Sequence, residues 1–147
     1  MNQKCCHNIL DETDIPCSDE DCIAVTISKA IWENYSSPGL TVESLAEKLE
    51  LSIDTLYKYS KRHFGCTPKK LVNCVRIYKS MDYYYNVVNV SEIGEKVGFF
   101  EEKTYRNVLR SFVDVSPREL KKYSRLYENH HDFINAMKEV ILEKLQH

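Results

Sequence analysis

The feature that most restricts this chain is a helix, tight turn, helix pattern that occurs twice. In the first copy Thr41 is placed to cap a short helix, with Ser44 at its third position, and Val42, Leu45, Ala46 and Leu49 share one apolar face. Ser52 can cap the next helix, in which Leu56, Tyr59 and His63 face inward and Gly65 closes the C-terminus. In the second copy Ser91 precedes a short helix carrying Ile93 and Val97, which Gly98 ends. Tyr105, Val108, Leu109 and Phe112 then recur at i, i+3, i+4 and i+7, the spacing that lines one face of a helix.

Helical spacing also fills the rest. Ile23, Ile27, Ala30 and Ile31 form a helix that stops near Tyr35, before Ser36-Ser37-Pro38-Gly39. Pro68 suits the first turn of a longer helix with Leu71, Val72, Val75, Tyr78 and Met81 toward a core, and Cys74 in it reads as a small buried hydrophobe. Ser116-Pro117 opens a further helical turn through Leu120 and Tyr123. Between His131 and His147, Phe133, Ile134, Met137, Val140, Ile141 and Leu145 make an amphipathic stripe. That stripe suits packing on the second repeat, with a dimer or partner surface as the alternative. Only Tyr83-Tyr84-Tyr85 through Val90 is β-tolerant.

Charge is segregated although the total is −2. Residues 1–36 hold two Lys against seven acids, net −5; residues 37–127 hold 16 Lys and Arg against 11 acids, net +5; residues 128–147 are net −2. A basic middle between acidic ends fits a phosphate-binding module, and equally an ordinary solvated surface. No stretch approaches the roughly 20 apolar residues of a membrane-spanning helix, and the opening Met1-Asn2-Gln3-Lys4-Cys5-Cys6-His7 does not lead into a secretory apolar core. The expected compartment is the cytoplasm.

Cys5, Cys6, Cys17 and Cys22, with His7, have the donor chemistry for zinc but not the usual paired short spacing, so reduced thiols are expected and no metal or cofactor. The chain has no Gly-rich phosphate loop, no H-E-x-x-H and no G-x-S-x-G, which argues against an enzyme and leaves no catalytic residue to name.

The two repeats align through Leu45-Ala46 with Ile93-Gly94, a small residue following an aliphatic one in each first short helix. A small side chain there lets two helices cross closely at a steep angle, as a helix-turn-helix requires. Two such units on one linker could put two recognition helices into successive major-groove segments about 34 Å apart. Periodicity alone leaves a plain helical bundle as the competing reading.

Particular residues add a resemblance. Leu45-Ala46, Ser52 and Leu56, then Gly65-Cys66-Thr67-Pro68, then Arg76 eleven residues after Gly65, are followed by Val90-Ser91-Glu92-Ile93-Gly94-Glu95-Lys96-Val97-Gly98-Phe99, by Tyr105, Leu109, Arg110 and Phe112, and by Val115-Ser116-Pro117. From about residue 23 to 124 the chain resembles the tandem helix-turn-helix domain of the AraC/XylS family of transcription regulators. Asp114-Val115 is similar to the short stand-alone members such as MarA and SoxS. Ser60 stands where the family usually has an aromatic core residue and Gly94 where it prefers Ala; both are expected to loosen their lobes.

The resemblance implies an all-α fold of two homeodomain-like, three-helix lobes joined by a long linker helix. An acidic, cysteine-containing tail at 1–20 would precede lobe one at about 21–66, the linker helix at about 68–86, lobe two at about 87–124 and an added amphipathic helix within 125–147. It implies a double-stranded DNA partner, RNA polymerase recruitment as an activator, and monomeric binding. Carried over position by position, base-edge contacts fall on Asp54, Tyr57 and Lys58 of the first recognition helix and on Glu102, Lys103, Arg106 and Asn107 of the second. Lys58 and Arg106 suit guanine, Asn107 adenine and Asp54 a cytosine amino group. Lys61, Arg62 and Arg110 suit phosphates, and Arg76 a structural role between the lobes. The alternative function is a protein-interaction module that keeps the fold and binds a partner through its acidic termini.

Overall fold

A computed structural model describes residues 8–10, 23–85 and 89–145. The chain forms eight α-helices among these residues: α1 (Ile23–Asn34), α2 (Val42–Lys48), α3 (Ile53–Phe64), α4 (Pro68–Ser80), α5 (Ile93–Lys96), α6 (Glu102–Val113), α7 (Pro117–Ser124) and α8 (His130–Leu145). Three-residue 3-10 turns at Met81–Tyr83 and Val90–Glu92 extend α4 and lead into α5. The described residues contain no strand, so the β-tolerant tyrosines adopt helical and turn geometry instead. Tyr84 is drawn into the core, where tertiary burial outweighs its β preference.

Local signals set most helix ends. Thr41 accepts from the Ser44 amide while the Ser44 hydroxyl accepts from the Thr41 amide, a reciprocal cap for α2. Ser52, Thr67 and Ser116 cap α3, α4 and α7 in turn. Pro68 and Pro117 open α4 and α7, and Gly65 ends α3 in the left-handed region.

In lobe one α1, α2 and α3 pack on one another, with α1 and α3 also against α4; in lobe two α5 and α6 pack on each other and on α4, and α7 packs on the turn at Val90–Glu92. Arg76, at 8% exposure, joins them. Its Nε donates to the Tyr35 carbonyl at 2.9 Å and a terminal nitrogen donates to the Ser37 carbonyl at 2.8 Å, while the guanidinium lies 5.5 Å from the Phe99 ring centroid. The expected structural role is therefore seen: the side chain ties the end of α1 to the turn before α6. Gly98 permits this approach, because a Cβ there would collide with the Tyr35 carbonyl oxygen and lie 2.8 Å from Arg76 Nε, and its φ of 103° disfavours any side chain.

Three expectations are corrected. The inward set of α3 is Leu56 and Ser60, both fully buried, with Tyr59 and His63 only half-buried. Ser60 does not leave a gap, since its hydroxyl donates to the Cys66 carbonyl at 2.6 Å and so fixes the turn after α3. Gly94 does not loosen lobe two, because the Tyr105 side chain fills the space where a Cβ would be, 2.6 Å from Tyr105 Cβ.

The close approach at Gly94 seats a buried hydroxyl chain. Tyr84 donates to Tyr105 at 2.6 Å, Tyr105 donates to Ser80 at 3.0 Å, and Ser80 donates to the Ile77 carbonyl at 2.6 Å. Burial pushes both phenols up, that of Tyr105 to about 12, so the chain stays protonated.

Helix α8 buries Phe133, Met137, Ile141 and Leu145 against α4, α6 and the turn at 81–83, while Val140 stays at the surface. Its C-terminal end is held from both sides: Lys70 donates to the Lys144 carbonyl at 3.0 Å and Lys144 pairs with Asp114 at 3.0 Å. Ile9 and Leu10 are also buried, with Trp32 donating to the Ile9 carbonyl at 2.8 Å. No described helix is long and apolar enough to cross a membrane. Cys5, Cys6, Cys17 and Cys22 lie outside the described residues.

Candidate nucleic-acid interface

Each putting-together of short helix, turn and 12-residue helix leaves one polar face free. On α3, burial of Leu56 and Ser60 turns Asp54, Tyr57, Lys58, Lys61 and Arg62 outward, and all five are exposed. On α6, burial of Tyr105, Leu109, Phe112 and Val113 does the same for Glu102, Lys103, Arg106, Asn107 and Arg110. Every side chain named from the sequence is thus at the surface, on the face of its helix away from the core.

The structure adds a relation between the two faces. A cleft of about 540 Å³ runs between the lobes, bordered by Ile53 and Tyr57 of α3, by Lys69 and Asn73 of α4, and by Thr104 and Val108 of α6. Both recognition helices thus border the same cleft, α3 through Ile53 and Tyr57 and α6 through Thr104 and Val108. Tyr57 also borders a shallow depression with Lys58, Lys61 and Arg62, so the cleft continues into the basic stripe of α3.

The two faces differ in electrostatics. The first turn of α3 carries Asp54 and its last turn Lys61, Arg62 and His63, which complements the helix dipole. The start of α6 carries Glu101 and Glu102, and Glu101 makes no side-chain cap. Carboxylates at that end can accept from a base amino group but repel phosphate.

Sequence reading passed over two exposed cations in equivalent places, Lys69 after Thr67-Pro68 and Arg118 after Ser116-Pro117. The repeat of hydroxyl, proline and cation just beyond each recognition helix was the available signal. Arg118, Lys122 and Arg125 extend the positive surface along α7. It also passed over Phe100, 88% exposed at the cleft beside the start of α6. Among the described residues no three His, Cys, Asp or Glu side chains are grouped to hold a metal ion. Cys66 and Cys74 are buried, and desolvation pushes both thiols up, that of Cys66 to about 11, which leaves them unreactive packing groups.

Comparison with known proteins places these features in a family. The helix-turn-helix domain family matches residues 45–123, more than half of the chain. The transcriptional activator RhaS of Citrobacter koseri and that of Salmonella arizonae are each 28% identical over 91 residues, covering 61% of this chain. The match covers 33% of each, so the chain spans about a third of the length of these curated relatives. Two solved structures share the fold. The C-terminal domain of AraT, a response regulator from Geobacillus stearothermophilus, superposes with a TM-score of 0.66 at 21% identity, covering 79% of this chain and 99% of that one. The C-terminal domain of the two-component response regulator yesN from Fusobacterium nucleatum does so with a TM-score of 0.62 at 24% identity, covering 66% and 95%. With both helix-turn-helix units, the joining arginine and these relatives in agreement, the chain belongs to the AraC-type helix-turn-helix family of DNA-binding transcription regulators.

Proposed function

We propose that this chain is a sequence-specific regulator that inserts α3 and α6 into adjacent major-groove segments of one duplex and activates transcription by recruiting RNA polymerase. The observation that supports it most is that both recognition helices border one cleft while each carries a separate exposed polar face. In this reading Asp54, Tyr57 and Lys58 contact base edges from α3, and Glu102, Lys103, Arg106 and Asn107 from α6. Lys61, Arg62 and Arg110 bind phosphates, to which the structure adds Lys69 and Arg118 as candidates.

The reading takes residues 21–124 as the DNA-binding unit, acting as a monomer in the cytoplasm, with α8 as an added core helix. Activation rests on the RhaS relatives, which carry that word in their names.

Selection of bound fragments from a random duplex library at two salt concentrations tests it. A two-part motif with half-sites about one helical turn apart, and binding that falls steeply with salt, is the expected result. A single half-site would restrict sequence reading to one lobe. No enrichment at low salt would overturn the proposal in favour of a protein-interaction module.

A further inference from the structure

Phe100 is the most exposed large apolar side chain of the described residues, at 88%, and it stands at a site of some consequence. It directly precedes Glu101, the N-cap residue of α6, and borders the inter-lobe cleft. Ile53, the first residue of α3, is 40% exposed and borders the same cleft, as does Tyr57 at 39%. A lone exposed apolar residue is ordinary. Three that border one cleft, from the first two turns of α3 and the approach to α6, are a patch, and the N-terminal part of a recognition helix is what meets base edges.

We propose that Phe100 is a specificity-determining residue that packs on the C5-methyl group of a thymine in the major-groove segment entered by α6. The inference rests on the reading given above and adds a contact to it. The occupant follows from what surrounds the ring. Lys69 and Glu43 both border the cleft, and Tyr57 also borders the neighbouring depression with Lys58, Lys61 and Arg62, so the α3 side of the opening lies beside net positive charge that suits a duplex. Glu101 and Glu102 directly follow Phe100 at the start of α6 and disfavour a phosphate at that point. An uncharged ring beside them has one partner of matching chemistry on a duplex, the only apolar group that bases present in the major groove.

Because the ring is almost wholly in water, Phe100 contributes little to folding, and Phe100→Ala retains the fold and melting temperature of the parent. The test uses a duplex recovered by the library selection. Binding of the full chain and of Phe100→Ala is measured by fluorescence anisotropy on that duplex and on a series in which each thymine in turn is uracil, which removes only the methyl. Loss of one methyl is expected to weaken the parent about fourfold. Phe100→Ala weakens binding to the thymine duplex at least as much and is indifferent to that same methyl, so the two changes do not add.

Equal binding by both proteins to every duplex overturns the inference, as does a methyl effect that Phe100→Ala preserves in full. If Phe100→Ala leaves DNA binding intact and lowers transcription in a reconstituted system, the patch serves a protein partner and the inference is likewise overturned. Failure of the parent to select any duplex defeats the functional reading itself, a result distinct from all of these.

Discussion

Lobe one and lobe two carry the same motif on different supports. In lobe one a seven-residue α2 with a reciprocal Thr41–Ser44 cap leads to an α3 capped by Ser52 and ended by Gly65. In lobe two a 3-10 turn and a four-residue α5 lead to an α6 that has no side-chain cap and ends at Asp114 with a φ of 61°. Where local signals are weak, distant contacts replace them: Tyr105 against Gly94, the hydroxyl chain to Tyr84 and Ser80, and α8 across α4 and α6. The motif tolerates weak caps when tertiary packing holds its helices in place.

Removing the support should break the comparison most strongly. A chain ending at Asn129 loses four buried side chains of α8, each worth about 2 kcal/mol, and exposes their partners on α6. Urea unfolding should show lobe two melting well before lobe one, and library selection should return the lobe-one half-site alone.

Next in size, Gly94→Ala should cost about 3 kcal/mol, because the new methyl meets Tyr105 Cβ and Cγ, both held in the core. The converse change in lobe one, Ala46→Gly, should cost nearer 1 kcal/mol in the same measurement. Equal costs would mean that the two small residues play one role, contrary to the packing described.

Binding sharpens the comparison in electrostatic terms. Lys58→Ala should weaken binding about tenfold and Arg106→Ala about threefold, since Glu101 and Glu102 set lobe two against the phosphate field. Equal losses in anisotropy titrations would show that both lobes contribute alike.

The smallest effect concerns caps of the same form. Glu119 accepts from the Ser116 amide at 2.9 Å, a bond that holds its carboxyl below the usual 4.5, whereas Ser44 fills that role in lobe one and does not titrate. A depressed folded-state value means that the contribution is complete above the unfolded value and is lost as pH falls through the folded one. Thermal unfolding between pH 5 and pH 3, a window of order one unit either side of the ordinary carboxylate value, should show a small acid loss in the parent. Glu119→Gln keeps the cap geometry and should reduce that loss.

The site was legible in the sequence to the extent that it is local. Periodicity on α3 and α6 sufficed to turn Lys58, Arg106 and their neighbours outward, because a helix with a buried stripe has only one opposite face. Ser60 and Phe100 draw their roles from contacts that helical periodicity does not encode. Ser60 reads as a defect in sequence because its partner, the Cys66 carbonyl, becomes available only when the turn closes. Phe100 has no pattern that marks it; its meaning comes from Ile53 and Tyr57 across the cleft.

The sequence by itself determined where the capped helices α2, α3, α4 and α7 start, since a cap or a proline acts within a single turn. It also determined the family, because two motifs in register with Arg76 survive in linear order. Only the tertiary structure decided that Gly94 is a contact and not a weakness, and that both recognition helices border one cleft. Those outcomes depend on close approach between separate helices, where hard-core packing sets the answer to within a methyl group.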